Sequence, residues 1–363
     1  MSLSFSDLQG FDMQSKPMTR WMMALLLPWM PLAAQACATC GCALSTDAAT
    51  GYSAQEGWRV NLEYVWLDQD QLRHGDSGAS PQDVVDRPAD PSADASEIER
   101  DTYNRYANLS VSWHPDADWG FSLIAPVVRR DHTTFGEFAA PFEPGDVAAS
   151  NISGAHVSGL GDIKLLANYQ GFLPTRNFGV VVGVKLPTGR YGGENEDGAF
   201  SGNPVLFDSG PMRGEALDSS LQAGTGSADA IVGAYWFQPV SQNFDAFANG
   251  QFQAAVAHRM DAPGLDYRPG NQFLLNVGLR YEAHANWVPQ LQLNLLDKRA
   301  DQGALADRAS SAGTVAYLSP GISVSLRHNL QAYGFVQVPV YSRLDGYQLF
   351  PHWAATLGVS LAF

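Results

Sequence analysis

Lysine is nearly missing from this chain, with four in 363 residues, and charged residues make up only 16%, where a soluble domain usually carries about 25%. Cysteine occurs three times, all within six residues, at Cys37, Cys40 and Cys42. After residue 36 no run approaches the ~18–20 consecutive apolar residues of a membrane helix, which excludes a helical membrane protein. No clustered basic face is present and the net charge is −15, so a nucleic-acid partner is not expected. Also missing are a His-Glu-x-x-His pair, a phosphate loop and a nucleophile elbow. His156-Val-Ser158 brings a histidine and a serine together, but in what reads as a loop, and no enzyme activity is expected. What remains is 45% apolar residues at a mean hydropathy of −0.15. Alternating transmembrane strands average to such a value.

The N-terminus reads as an address. Lys16 and Arg20 precede the apolar run from Trp21 to Leu32, which ends in Ala34-Gln35-Ala36. That is a secretory signal peptide over 1–36, with Met18 an alternative start. A lipoprotein signal favours Leu where Ala34 stands. The mature chain then opens at Cys37, with 37–56 a periplasmic segment and 57–363 a second region of different pattern.

Read with period two, 57–363 breaks into about twelve strand-like segments. Trp58, Val60, Leu62, Tyr64 and Trp66 share one face, and Arg59, Asn61 and Glu63 the other. Such strands also build soluble sandwiches, but here the connections alternate in length. Long ones fall near 68–101, 131–158, 188–225, 258–271, 297–312 and 342–352. Short ones fall near 114–118, 173–176, 238–242, 283–285 and 327–329. Tryptophans stand at the strand ends, as an interfacial girdle does. The final strand ends at Phe363 and resembles the signal read by the outer-membrane assembly machinery. The expected fold is therefore all-β, a transmembrane antiparallel β-barrel in the outer membrane of a Gram-negative bacterium. Short turns face the periplasm and long loops the outside.

The negative charge concentrates in loops: residues 68–101 carry −7, 131–158 carry −4 and 190–225 carry −4. Such a rim is either ordinary solvated surface or a place for cations beside lipopolysaccharide. The first of these loops reads as too polar to bury.

From about residue 155 three motifs follow one another at strand ends: Gly159-Leu-Gly-Asp162, Leu186-Pro-Thr-Gly189 and Gly224-Thr-Gly-Ser-Ala-Asp229. In that order they resemble the outer-membrane proteins grouped as the "MetA pathway of phenol degradation" family. The resemblance spans roughly 155–363. It implies a membrane barrel that admits small, often aromatic or hydrophobic compounds, and it fixes no cargo.

Strand parity points eight charges at the lumen: Arg59, Glu63, Asp162, Lys164, Lys185, Asp229, Arg280 and Glu282. Asp162 and Asp229 either cap loop amides or form an acidic constriction. Small inward candidates, Gly179, Gly183, Gly233, Gly278 and Gly321, argue for open space and a narrow pore.

The thiols at 37, 40 and 42 carry three readings. Cys37 and Cys40 have the spacing to grip one soft metal, Cu(I) or Zn(II), with Cys42 as a third ligand and His114, His284 or His328 as a fourth. An iron–sulfur cluster would need a cysteine from a partner. A disulfide would leave one thiol to dock a periplasmic redox or metal partner. Covalent haem is excluded, because Gly41 stands where a histidine is needed. Two functions follow: a channel for a small organic compound or metal ion, or a barrel that merely anchors a metal-binding or redox module.

Overall fold

The computed structural model describes residues 56–86, 98–136, 143–284 and 286–363. The signal peptide and the cysteines lie outside these residues. The chain runs through β1 (Gly57–Gly75), the short β2 (Ser77–Gly78), helix α1 (Pro81–Val85), β3 (Ile98–His114), β4 (Trp119–Phe135), β5 (Ile152–Leu160), β6 (Ile163–Tyr169) and β7 (Phe178–Leu186). A two-stranded flap, β8 (Gly192–Glu194) and β9 (Phe200–Gly202), precedes β10 (Ser227–Pro239), β11 (Phe244–His258) and β12 (Gln272–Tyr281). The wall ends with β13 (Trp287–Lys298), β14 (Gly313–Arg327) and β15 (Leu330–Ala362).

Each wall strand pairs antiparallel with its neighbours, and β15 pairs back onto β1, so the sheet closes on itself. β15 serves twice. Its first half pairs with β14 from Arg327↔Leu330 to Gly313↔Leu344, and its second half pairs with β1 from His74↔Tyr347 to Arg59↔Ala362. The reversal is at Asp345-Gly346, where Gly346 takes φ +60°, a backbone that favours glycine. The two halves touch, with Gln337 Nε2 donating to Thr356 Oγ1 at 3.3 Å and Ala362 N to the Asn329 carbonyl at 2.9 Å. The chain thus crosses the wall twelve times, and the even number is what lets both ends of an antiparallel sheet meet. β5 and β6 share one crossing, since both pair with β4.

The pattern of faces is inverted relative to a soluble protein. Leu62, Leu109, Leu123, Val182, Val232 and Leu357 are exposed, while Asn61, Asn104, Gln292 and Asn294 are buried. An apolar outside with a polar inside is the wall of a membrane barrel. Trp58 stacks on Trp113 at 5.9 Å and Trp119 packs on Tyr169 at 4.8 Å on the short-turn side. Trp66 and Trp353 meet at 4.2 Å on the other.

Three expectations are corrected. Residues 342–352 hold a tight hairpin, because strand pairing continues through them on both sides. The stretch 68–101 is folded at its start. β1 runs on to Gly75, and α1 follows with a capping box in which Ser80 N donates to Asp83 at 2.6 Å. Its Val84 and Val85 pack with Leu72, Ile98, Phe135 and Leu349. Charge at alternating positions (Asp68, Asp70) reads as loop, although it is equally compatible with a strand that has left the membrane for water. Finally, His156 and Ser158 lie on β5, not in a loop.

Candidate functional site: the lumen and its outer end

The three glycine-rich motifs converge on one carboxylate. Asp162, in the kink between β5 and β6, accepts from Gly189 N at 3.0 Å and from Thr225 N and Oγ1 at 3.0 Å each. Lys185 stands between Asp162 and Asp229, with Nζ 3.2 Å from the first and 2.9 Å from the second. It also donates to Thr225 Oγ1 and, at 3.2 Å, to Ser227 Oγ. Asp229 accepts from Ser227 Oγ and Gln253 Nε2, both at 2.6 Å. The glycines allow the approach, because a Cβ on Gly224 would stand 2.6 Å from the Asp162 carboxylate and 2.8 Å from Gly189 Cα. All three ionised groups are buried. Such a cluster holds together only because every charge is paired and hydrogen-bonded. Asp162 therefore caps loop amides and locks three turns together, in place of an acidic ring around an opening.

The chain between β7 and β10 leaves that knot and folds inward. Val205, Phe207, Met212, Leu217 and Leu221 pack with Ala155 and Val157 from the inner face of β5. The edge of β5 away from β4 carries no strand in this stretch, and Gly154 N donates instead to the Ser209 carbonyl at 3.2 Å. Arg130 of β4 fastens the loop to the wall. Its Nη1 donates to the carbonyls of Leu221 and Gln222, its Nε to Asn104 Oδ1 at 2.6 Å and its Nη2 to Tyr106 OH at 3.1 Å. Sequence reading missed Arg130, although the Arg129-Arg130 pair on an alternating strand signals one arginine in and one out.

A second buried pair sits at the outer end of β13. Lys298 Nζ lies 2.7 Å from Asp301, which also accepts from Tyr267 OH at 3.0 Å and Gly270 N at 2.8 Å. Protein surrounds Asp218 nearby, and this burial pushes its carboxyl up to about 6, with Asp307 and Asp301 adding to the rise. Asp307 is raised for the same reason. With Lys164 opposite Lys185 across β6 and β7, all three lysines of the described residues turn inward.

In the half near the short turns, aromatic rings lie flat over inward glycines. A Cβ on Gly358 would stand 2.1 Å from the Tyr333 ring, one on Gly321 2.1 Å from Phe335 and one on Gly179 2.3 Å from Tyr235. Of the inward glycines expected to leave space, Gly179, Gly278 and Gly321 are filled by a neighbour's ring, while Gly183 lies against Leu166 and Gly233 against the backbone of Gly250. Tyr333 OH donates to Glu63 at 3.0 Å and meets Asn61, and Asn108 donates to Glu63 at 3.1 Å. Arg59 shares this inward face by register. Arg280 is buried in the wall, and Glu282, to which it donates at 2.8 Å, lies beyond the end of β12 in the turn. Glu282 lies one residue past the strand, with its carboxylate held against the inward Arg280.

His114, His284 and His328 are all at the short-turn end, at the close of β3 and in two turns. Among the described residues no group of three or more metal-ligating side chains is gathered. His156 donates or accepts through Nδ1 to Asp131 at 2.6 Å on the outer face, and no hydrogen bond joins it to Ser158 among the described residues.

These features define a class by fold: a closed outer-membrane β-barrel whose outer end is covered by its own loops. No family model matches the sequence, and no characterised protein matches it. Among solved structures, the COG4313 outer membrane channel from Pseudomonas putida F1 superposes with a TM-score of 0.56, at 10% identity over 88% of this chain and 100% of that one. The Ralstonia pickettii toluene transporter TbuX matches at a TM-score of 0.43, with 12% identity over 85% of this chain and 90% of that one. The CymD monoaromatic hydrocarbon channel matches at 0.41, with 11% identity over 89% and 95%. The first of these establishes the fold.

Proposed function

We propose that this protein is a passive channel of the Gram-negative outer membrane for a small solute, and that the solute is a small organic compound. The observation that carries the reading is the loop over the outer end, fastened to the inner wall by Arg130 and by apolar packing on Ala155 and Val157, above an interior lined with fixed charges and amides. A barrel serving only as an anchor has no use for a fastened cover over a polar interior. The likeness of fold to a channel and the resemblance of the three motifs to those of the phenol-degradation family support the same conclusion. The test is conductance in planar bilayers. Arg130→Met should raise single-channel conductance several-fold over the unchanged protein while the barrel stays folded. Lys164→Glu should shift ion selectivity towards cations. Absence of current in both proteins, or unchanged selectivity, would leave the anchor reading in place.

The thiols form a separate element of the proposal. Cys37, Cys40 and Cys42 are assigned a soft metal, Cu(I) or Zn(II), or a docking role towards a periplasmic partner, on their spacing alone. Metal analysis and a thiol count on the folded protein beside the triple serine variant distinguish them. Stoichiometric metal that vanishes in the variant supports the first and turns the cargo search to metal ions. Two oxidised thiols without metal support the second.

A further inference from the structure

The lipid-facing side of β1, β3, β4 and β5 can be read row by row from the strand register. The lowest row is Trp58, Trp113 and Phe121. Three rows higher stand Tyr64, Ala107, Val127 and Leu160, all apolar. The next row is different: Trp66, Arg105, Arg129 and Ser158. Above it lie Asp68, Tyr103, Asp131 and His156. From Trp58 to Trp66 is eight residue steps, about 27 Å along the strand at ~3.3 Å each. With the usual tilt of ~35–45° this is about 20 Å of height, close to the ~25 Å apolar band of such barrels. The two arginines therefore stand at the depth of lipid headgroups in the leaflet nearest the long loops.

Arg105 and Arg129 are direct cross-strand partners, an arrangement of like charges that is unfavourable by itself. Arg105 is partly answered, since it pairs with Asp131 and lies over the Tyr103 ring at 4.7 Å. Asp131 is shared with His156 at 2.6 Å. Arg129 is exposed, and no side chain pairs with it among the described residues. Beside them Trp66 packs against Tyr103 and Trp353, at 5.8 and 4.2 Å, as rings do at a membrane interface. Arg100 is already paired with Asp101 at 3.1 Å one row beyond. The two guanidinium groups thus share a single bonded carboxylate, Asp131, and Ser158 stands directly across from Arg129.

We propose that Arg105 and Arg129 bind a phosphate group of a lipid in the outer leaflet, with Ser158 as an added donor. Two arginine forks suit a phosphate better than a carboxylate-free sugar or an acyl ester. The occupant is the phosphorylated glycolipid of that leaflet, whose acyl chains would lie along the apolar rows below. The proposal rests on the barrel spanning the membrane and not on the channel reading.

The test is binding of bisphosphorylated lipid A and of its phosphate-free counterpart, with the same acyl chains, to the folded full chain in detergent. The unchanged protein should prefer the phosphorylated lipid by about tenfold, as a charge-assisted contact commonly gives. Arg129→Gln, at an exposed position, should cut that preference severalfold without altering folding, and adding Arg105→Gln should abolish it. Arg343→Gln removes the same charge from an exposed position on β15 and should leave the preference intact. Equal binding of the two lipids by the unchanged protein would overturn the proposal. Equal loss in Arg343→Gln would reduce it to general charge, and displacement of lipid by millimolar inorganic phosphate would refute a lipid-specific site.

Discussion

Asp162 shows how much one side chain can organise. It terminates two backbone amides and one hydroxyl and balances half of a buried lysine. Replacing it with alanine leaves Lys185 with a single carboxylate and opens two amides, and breaking a buried pair in this way costs about 3 kcal/mol or more. Urea unfolding of Asp162→Ala in lipid vesicles should show that loss, whereas Asp162→Asn, whose single amide oxygen can keep one of the two caps, should lose less. Asp218 couples its loop to pH. Its carboxyl is raised to about 6, so the folded loop holds a proton that the unfolded loop has lost between about pH 4 and 6. Stability from this group is present at low pH and is lost as pH rises through 6. Hydrogen exchange in 203–222, corrected for its intrinsic pH dependence, should slow from pH 7 to 5, and Asp218→Asn should abolish the change.

At the scale of elements, the barrel strands combine glycine with a ring on the adjoining strand. Gly358→Ala would force the Tyr333 ring off the wall and away from Glu63 and Asn61, with an overpacking cost of about 1–3 kcal/mol. Conductance should fall as the ring swings into the interior, and the double variant Gly358→Ala/Tyr333→Ala should recover it. Much of this architecture is legible in the sequence, since period-two alternation and the short turns place nearly every wall strand and assign Arg59, Glu63, Lys164 and Lys185 to the inner face. The β15 turn was hidden because a charged Arg343-Leu-Asp345 on an outside end reads as loop. The fastening role of Arg130 is not legible because the loop groups it binds are backbone carbonyls more than 90 residues away, and a carbonyl carries no sequence signature.

At the scale of the molecule, the barrel separates two chemistries. Its outside is fixed by the membrane, while its outer end is fixed by buried ion pairs and by a loop that Arg130 fastens along with apolar packing on β5. Releasing that arginine should therefore change passage without unfolding the wall, which is the distinction the conductance of Arg130→Met reads. The described lysines add a consequence of a practical kind. Because Lys164, Lys185 and Lys298 all face inward, the outer wall offers an amine-reactive reagent nothing to modify. Acylating reagents of graded size, applied to the folded protein and read by peptide mass, become a calliper. The largest reagent that reaches Lys164 measures the bore, and any reagent that reaches Lys298 only in Arg130→Met dates the moment the cover lifts.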